Sequence, residues 1–100
     1  MNVKIQEQDS NMVAILEGSL DTAAAAEATK AMQPLNDVDG KDIILDCTAL
    51  EYISSAGLRI FLGILKVAKA KGENVFIKGV NDRVRSIFNI TGFSNIFKFI

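Results

Sequence analysis

Two adjacent hydroxyls, Ser54 and Ser55, stand in the run from Tyr52 to Phe61, where an apolar strand pattern gives way to a helical one. The first amides of a helix have no intrahelical acceptor, and the aligned peptide dipoles leave partial positive charge there. A phosphate or a phosphorylated serine is therefore well placed at that point. Gly57, two residues on, keeps the turn free of a side chain. The bland use of a serine here is as a helix cap that accepts a backbone N–H, and one residue can both cap and accept a phosphate.

Other chemistry is limited by what the chain lacks. It has no histidine, so neither a Ser-His-Asp nor a Cys-His arrangement can form within it, and the serines do not sit in a Gly-x-Ser-x-Gly elbow. One cysteine without histidine leaves no ligand set for structural zinc, and the glycines spell neither a Walker loop nor a dinucleotide fingerprint. A non-enzymatic domain without metal or cofactor is expected. Eleven basic against twelve acidic residues give a net charge of −1, which supplies no general attraction to nucleic acid or acidic lipid. The lone Cys47, read as a small residue near a strand end, cannot form an internal disulfide. The amino-terminal residues Met1 to Gln6 lack the long apolar stretch of a secretion signal, and the most apolar stretch, 58–70, carries Arg59, Lys66 and Lys69. A cytoplasmic protein without a membrane span is expected.

The elements that position the serines follow from periodicity. Val3 and Ile5 alternate with polar neighbours, and Met12 to Leu16 form a second strand after the Asp9-Ser10-Asn11 turn, so the chain opens on a β-hairpin. Residues 18–21 read as the end of that strand. Asp21 or Thr22 would cap an alanine-rich helix starting near Ala23, which Pro34 ends or kinks before a loop at 36–40. Ile43, Ile44 and Leu45 read as a short central strand buried on both faces, leading toward the serines. From Ser55 to Lys71, Leu58, Phe61, Leu62, Leu65 and Ala68 recur at helical spacing, with Gly72 as the stop. Ile60, Ile64 and Val67 form a second stripe that fits either more core or a docking surface, beside a polar face at Arg59, Gly63, Lys66 and Ala70.

Val75 to Ile77 form another strand, Asn81 caps a third helix that Gly92 stops, and residues 96–100 close as a short strand. An exposed Phe97 or Phe99 there would mark a face awaiting a partner. One hundred residues at 49% apolar content suit a single α/β domain over 1–100: a mixed sheet, largely parallel after the hairpin, with helices packed on it.

Three segments carry a resemblance: Leu16 to Asp21, Asp46 to Leu58, and Val84 to Phe93. In order and separation they resemble the STAS domain family, which includes bacterial anti-sigma-factor antagonists. The resemblance implies a protein that binds an anti-sigma factor with serine kinase activity, is released when phosphorylated at the start of the second helix, and is reset by a serine phosphatase. The matching acceptor is Ser55, with Ser54 as fallback. The family pattern is Asp-Ser-Ser-Gly or Asp-Ser-Thr-Gly, so Ser54 stands in place of the aspartate and Ala56 in place of the second hydroxyl residue. Asp21 matches an acidic residue near the phosphoserine, and the expected partner surface comprises Asp21, Thr22, Ser54, Ser55, Gly57 and Arg59. Two alternatives stand beside this: a non-switching STAS subunit of a lipid-transport or signalling assembly, and an anion- or nucleotide-binding module. A homodimer is compatible with the sequence.

Overall fold

The computed structural model describes residues 1–100, and its strand order explains where the two serines come to lie. Strands β1 (Asn2–Gln8) and β2 (Asn11–Leu20) form the opening antiparallel hairpin. Strands β3 (Asp42–Ile53), β4 (Val75–Lys78) and β5 (Lys98–Phe99) then add in parallel, giving a five-stranded sheet in the order β1-β2-β3-β4-β5. Helices α1 (Ala25–Met32), α2 (Ser55–Ala70) and α3 (Asp82–Thr91) occupy the three crossovers. The mixed α/β sheet and the hairpin match the sequence reading.

All three helices feed one core. Ala28 and Met32 of α1, Leu58, Phe61 and Leu65 of α2, and Val84 and Phe88 of α3 join the same buried cluster as Ala14, Ile43, Leu45, Cys47 and Ile77 from the sheet. Phe61, Phe88, Phe97 and Phe99 form its aromatic end, with an edge-on pair at 5.4 Å between Phe88 and Phe99. Such pairs contribute about 1 kcal/mol each beyond the area they bury. Phe97 is buried and Phe99 half-buried, so neither is the exposed aromatic that would mark a face awaiting a partner.

The sequence reading needs several corrections. Strand β3 is not a short run buried on both faces: Ile43, Leu45 and Cys47 are buried while Ile44 and Asp46 between them are half-buried, because the helices cover only one face. It also continues to Ile53 instead of stopping near Leu45, so Cys47 lies inside a strand rather than near its end. Burial pushes the Cys47 thiol up to about 12, with the Asp46 carboxylate adding to the effect. Strand β2 does not break at Gly18. The glycine takes φ +99°, and the register with β3 slips there, so the chain absorbs the irregularity and runs on to Leu20.

Helix α1 begins at Ala25, after a turn, and its cap position, Ala24, makes no side-chain hydrogen bond. Pro34 acts as expected by ending α1 at Met32, yet residues 33–37 wind into a 3₁₀ turn that takes in Asn36 and Asp37 of the loop expected at 36–40. The last strand is reduced to Lys98–Phe99, with Phe93–Asn95 in another 3₁₀ turn.

Candidate functional site

The site is built where the parallel strands β2 and β3 end side by side. Leu20 pairs with Ile53 at the last rung, and one residue further the Ser54 amide donates to the Leu20 carbonyl at 2.9 Å. The segments that follow, Asp21-Thr22 and Ser54-Ser55, therefore leave the sheet from the same rung. This brings together the residues that the sequence placed far apart.

Ser54 is the cap. Its backbone is extended (φ −90°, ψ 172°), and its hydroxyl oxygen accepts from the Gly57 amide at 3.2 Å. The same hydroxyl donates to the Leu20 carbonyl at 3.1 Å, so its one proton and a lone pair are both engaged. The residue is 8% exposed. A kinase would have to open the junction to reach it.

Ser55 is the first residue of α2 and is exposed. The first turn of α2 carries no acidic side chain, so the partial positive charge at the helix start has no fixed anion of the helix beside it. Arg59, one turn further along α2 and also exposed, has a side chain able to reach back toward a phosphate on Ser55.

Gly57 sets how closely α2 approaches the sheet. A Cβ on it would lie 2.7 Å from Leu20 Cγ and 2.8 Å from Ile53 Cγ1, both inside contact distance, and the residue is buried. It is thus a packing position behind the serines and presents no side chain to a partner. Asp21 is exposed, and its Oδ1 accepts from the Ala24 amide at 2.9 Å, closing the turn that precedes α1. It thereby does the local work of a cap one turn before the helix, with its second carboxylate oxygen left to solvent. Thr22 is exposed, and its carbonyl accepts from the Ala25 amide at 3.3 Å.

The second apolar stripe of α2, which the sequence left open as more core or a docking surface, is part core and part groove. Between α2 and the segment 29–36 runs a groove of about 440 Å³, floored by Met32, Ile60, Ile64 and Val67. The second stripe of α2 is thus divided: Ile64 is buried in the core while Ile60 and Val67 remain half-buried along the groove. Arg59 is its only charged lining residue. Gly63, in mid-helix with no counterpart in the core pattern, is the sequence signal that pointed there. No group of three or more His, Cys, Asp or Glu side chains is placed to hold a metal, and no helix is long and apolar enough to cross a membrane.

The family model described as "STAS domain" matches residues 2–100. The chain belongs to the STAS domain family. Among curated relatives, this STAS domain is 28% identical over 96 residues to the anti-sigma-B factor antagonist of Staphylococcus aureus, covering 96% of this chain and 89% of the relative. Among solved structures it superposes with a TM-score of 0.82 on an anti-sigma factor antagonist from Mycobacterium paratuberculosis, at 20% identity and covering 98% and 83% of the two chains. It superposes at 0.80 on the anti-sigma factor antagonist SpoIIAA in its unphosphorylated form, at 19% identity over 99% and 88%. The phosphorylated form of SpoIIAA, a Bacillus cell fate determinant, gives 0.72 at 17% identity over 99% and 91%. The structural likenesses at these identities establish the shared fold.

Proposed function

We propose that this STAS domain is an anti-sigma-factor antagonist that works by partner switching. Unmodified, it binds an anti-sigma factor that is a serine kinase. Phosphorylation of Ser55 releases it, and a serine phosphatase restores binding in the cytoplasm. The observation that carries the reading is the division of labour between the two serines. Ser54 is buried and committed to the cap, while Ser55 lies exposed on the first turn of α2 with no acidic neighbour in that turn. The name of the Staphylococcus aureus relative supports the antagonist role.

The physics of the switch follows from the position. Phosphorylation adds about −1.5 to −2 charge and three acceptor oxygens. At a helix start this charge is favourable within the domain, so the fold persists. A partner surface packed against a neutral hydroxyl must instead desolvate a dianion, at a cost of several kcal/mol unless a cation compensates. Binding is lost without refolding. Asp21 and Thr22, leaving the sheet beside the serines, would extend the same contact face, with Arg59 on its α2 side.

Incubation with ATP and lysate of the source cells, followed by mass spectrometry, tests this directly. Phosphate on Ser55 that disappears in Ser55→Ala is the expected result, with Ser55→Ala retaining the kinase in a pull-down and Ser55→Glu losing it. Equal retention by both variants, or no phosphate with phosphatases inhibited, would turn the assignment toward a non-switching STAS subunit.

A further inference from the structure

The groove between α1 and α2 has three properties that belong together. Its floor is apolar, formed by Met32, Ile60, Ile64 and Val67, with Ile60 and Val67 half-exposed in the free protein. The cations beside it are unpaired: the chain's two ion pairs join Lys41 to Glu7 and Lys71 to Asp39, and neither involves Arg59, which lines the groove, or the exposed Lys66 further along α2. Gly63 lies between them, exposed, and a Cβ built on it meets nothing within 4 Å.

Glycine in the middle of a helix weakens it relative to alanine, and the usual compensations are a positive φ or a close internal contact. Gly63 has neither, since it lies within α2 and its surroundings are open. What a missing Cβ provides at such a place is close approach from outside. An apolar trough between two helices, a bare backbone at its rim and unpaired cations alongside fit an amphipathic helix with apolar residues toward the groove and carboxylates beside it.

We propose that the α1–α2 groove is a docking site for an acidic amphipathic helix of the partner, lying against Gly63, with its carboxylates on Arg59 and Lys66. Resting on the partner-switching reading, this makes the helix part of the kinase. The groove is continuous with the switch: Arg59 lines it and stands one turn from Ser55 on α2. A phosphate on Ser55 would compete with the docked carboxylates for Arg59, so modification weakens a contact that begins at the switch and extends along the helix. An acidic docking segment also suits a basic strip on a domain whose net charge is only −1.

The test places a photo-crosslinking side chain in the groove. The full chain carrying Val67→benzoylphenylalanine is irradiated in source-cell lysate, and the cross-linked peptide is sequenced by mass spectrometry. The expected adduct is a segment with apolar residues at helical spacing flanked by Asp and Glu, within the protein that phosphorylates Ser55. In parallel, Gly63→Ala and Gly63→Leu are titrated against that kinase. Alanine should raise the melting temperature by about 4 °C while weakening binding about tenfold, and leucine should weaken binding by about a hundredfold or more without lowering the melting temperature.

Normal phosphorylation of Ser55 and unchanged affinity in Gly63→Leu would overturn the groove while leaving the switch intact. Should no kinase act on Ser55 while Val67 still cross-links to an acidic helix, the docking site stands and the switch falls. An adduct to a second copy of this chain, or to a segment that is neither acidic nor helical, would overturn the proposal.

Discussion

The β3–α2 and β4–α3 junctions share one capping geometry and differ in the charges of their first turns. Both caps are extended, Ser54 at φ −90°, ψ 172° and Asn81 at φ −77°, ψ 172°. Each accepts from the amide three residues on, Gly57 at 3.2 Å and Val84 at 2.8 Å. Each also donates back to a strand carbonyl, Ser54 to Leu20 and Asn81 to Leu50. Yet α3 opens on Asp82, a permanent anion in its first turn, whereas α2 opens on Ser55 and has none. The helix-start field meets a fixed anion in the first turn of α3 and none in that of α2, where the proposed phosphate on Ser55 would supply one.

The largest expected effect concerns the residue that receives the cap. In α3 it is the buried Val84, but in α2 the same position is Gly57, pressed between Leu20 and Ile53. Gly57→Ala should cost about 3 kcal/mol by forcing α2 off the sheet, read as a lower urea midpoint at unchanged slope. A loss near zero would mean that the tight approach is incidental and that the junctions are interchangeable at this position. Next come the caps themselves. Ser54→Ala removes a buried residue with two hydrogen bonds and should cost about 2 kcal/mol, against about 1 kcal/mol for the exposed Asn81. Equal losses would remove the distinction between a buried and an open cap.

Strand β3 serves both junctions, since Ile53 precedes Ser54 and the Leu50 carbonyl holds Asn81. Cys47 lies inside that strand with its thiol pushed up to about 12 from 9.0. The folded state therefore holds the proton more tightly than the unfolded chain. That contribution to stability is fully present below pH 9 and is lost as pH rises from 9.0 toward 12. The slope should approach about 1.4 kcal/mol per pH unit, and Cys47→Ala should remove it. A thiol reagent at pH 8 should label Cys47 only in denaturant. Ready labelling of the native protein would show that β3 opens more easily than its burial implies.

How much of this was legible depended on the distance over which each feature is decided. The caps of α3 at Asn81 and Gly92 could be read because they rest on neighbours within one turn, and the structure has Gly92 at φ +79° and Asn81 on Val84. Assigning the cap of α2 to Ser54 and the exposed position to Ser55 could not, because two adjacent hydroxyls fit both uses. The choice follows from where β3 ends against Leu20, 34 residues away in sequence. The length of β3 was hidden by Asp46, Thr48 and Glu51, polar residues that the uncovered sheet face and the strand's far end tolerate. Asp46 further masks the strand by taking the Thr48 amide and hydroxyl onto its own carboxylate, a bond pattern more typical of turns. Alanine propensity placed the start of α1 early because Asp21 closes a separate turn ahead of it.

The smallest expected effect is the most direct test of the comparison. If the first residue sets the charge at each helix start, exchanging the two should shift their energetics in opposite directions. Ser55→Asp should stabilise the fold by about 0.5 kcal/mol and Asp82→Ser should destabilise it by about the same amount. Both effects should fade in 1 M salt, where screening shortens to about 3 Å. Under the proposed switch the Ser55→Asp protein would then be more stable in isolation and a weaker binder of the proposed kinase, two readouts moving in opposite directions from one substitution. A structural role for Ser55 alone would move stability and leave binding unchanged. A contact role without the helix field would do the reverse. Both changes together would mean that the charge which weakens the complex is welcome in the free domain, which is what the proposed switch needs if the phosphorylated protein is to stay folded.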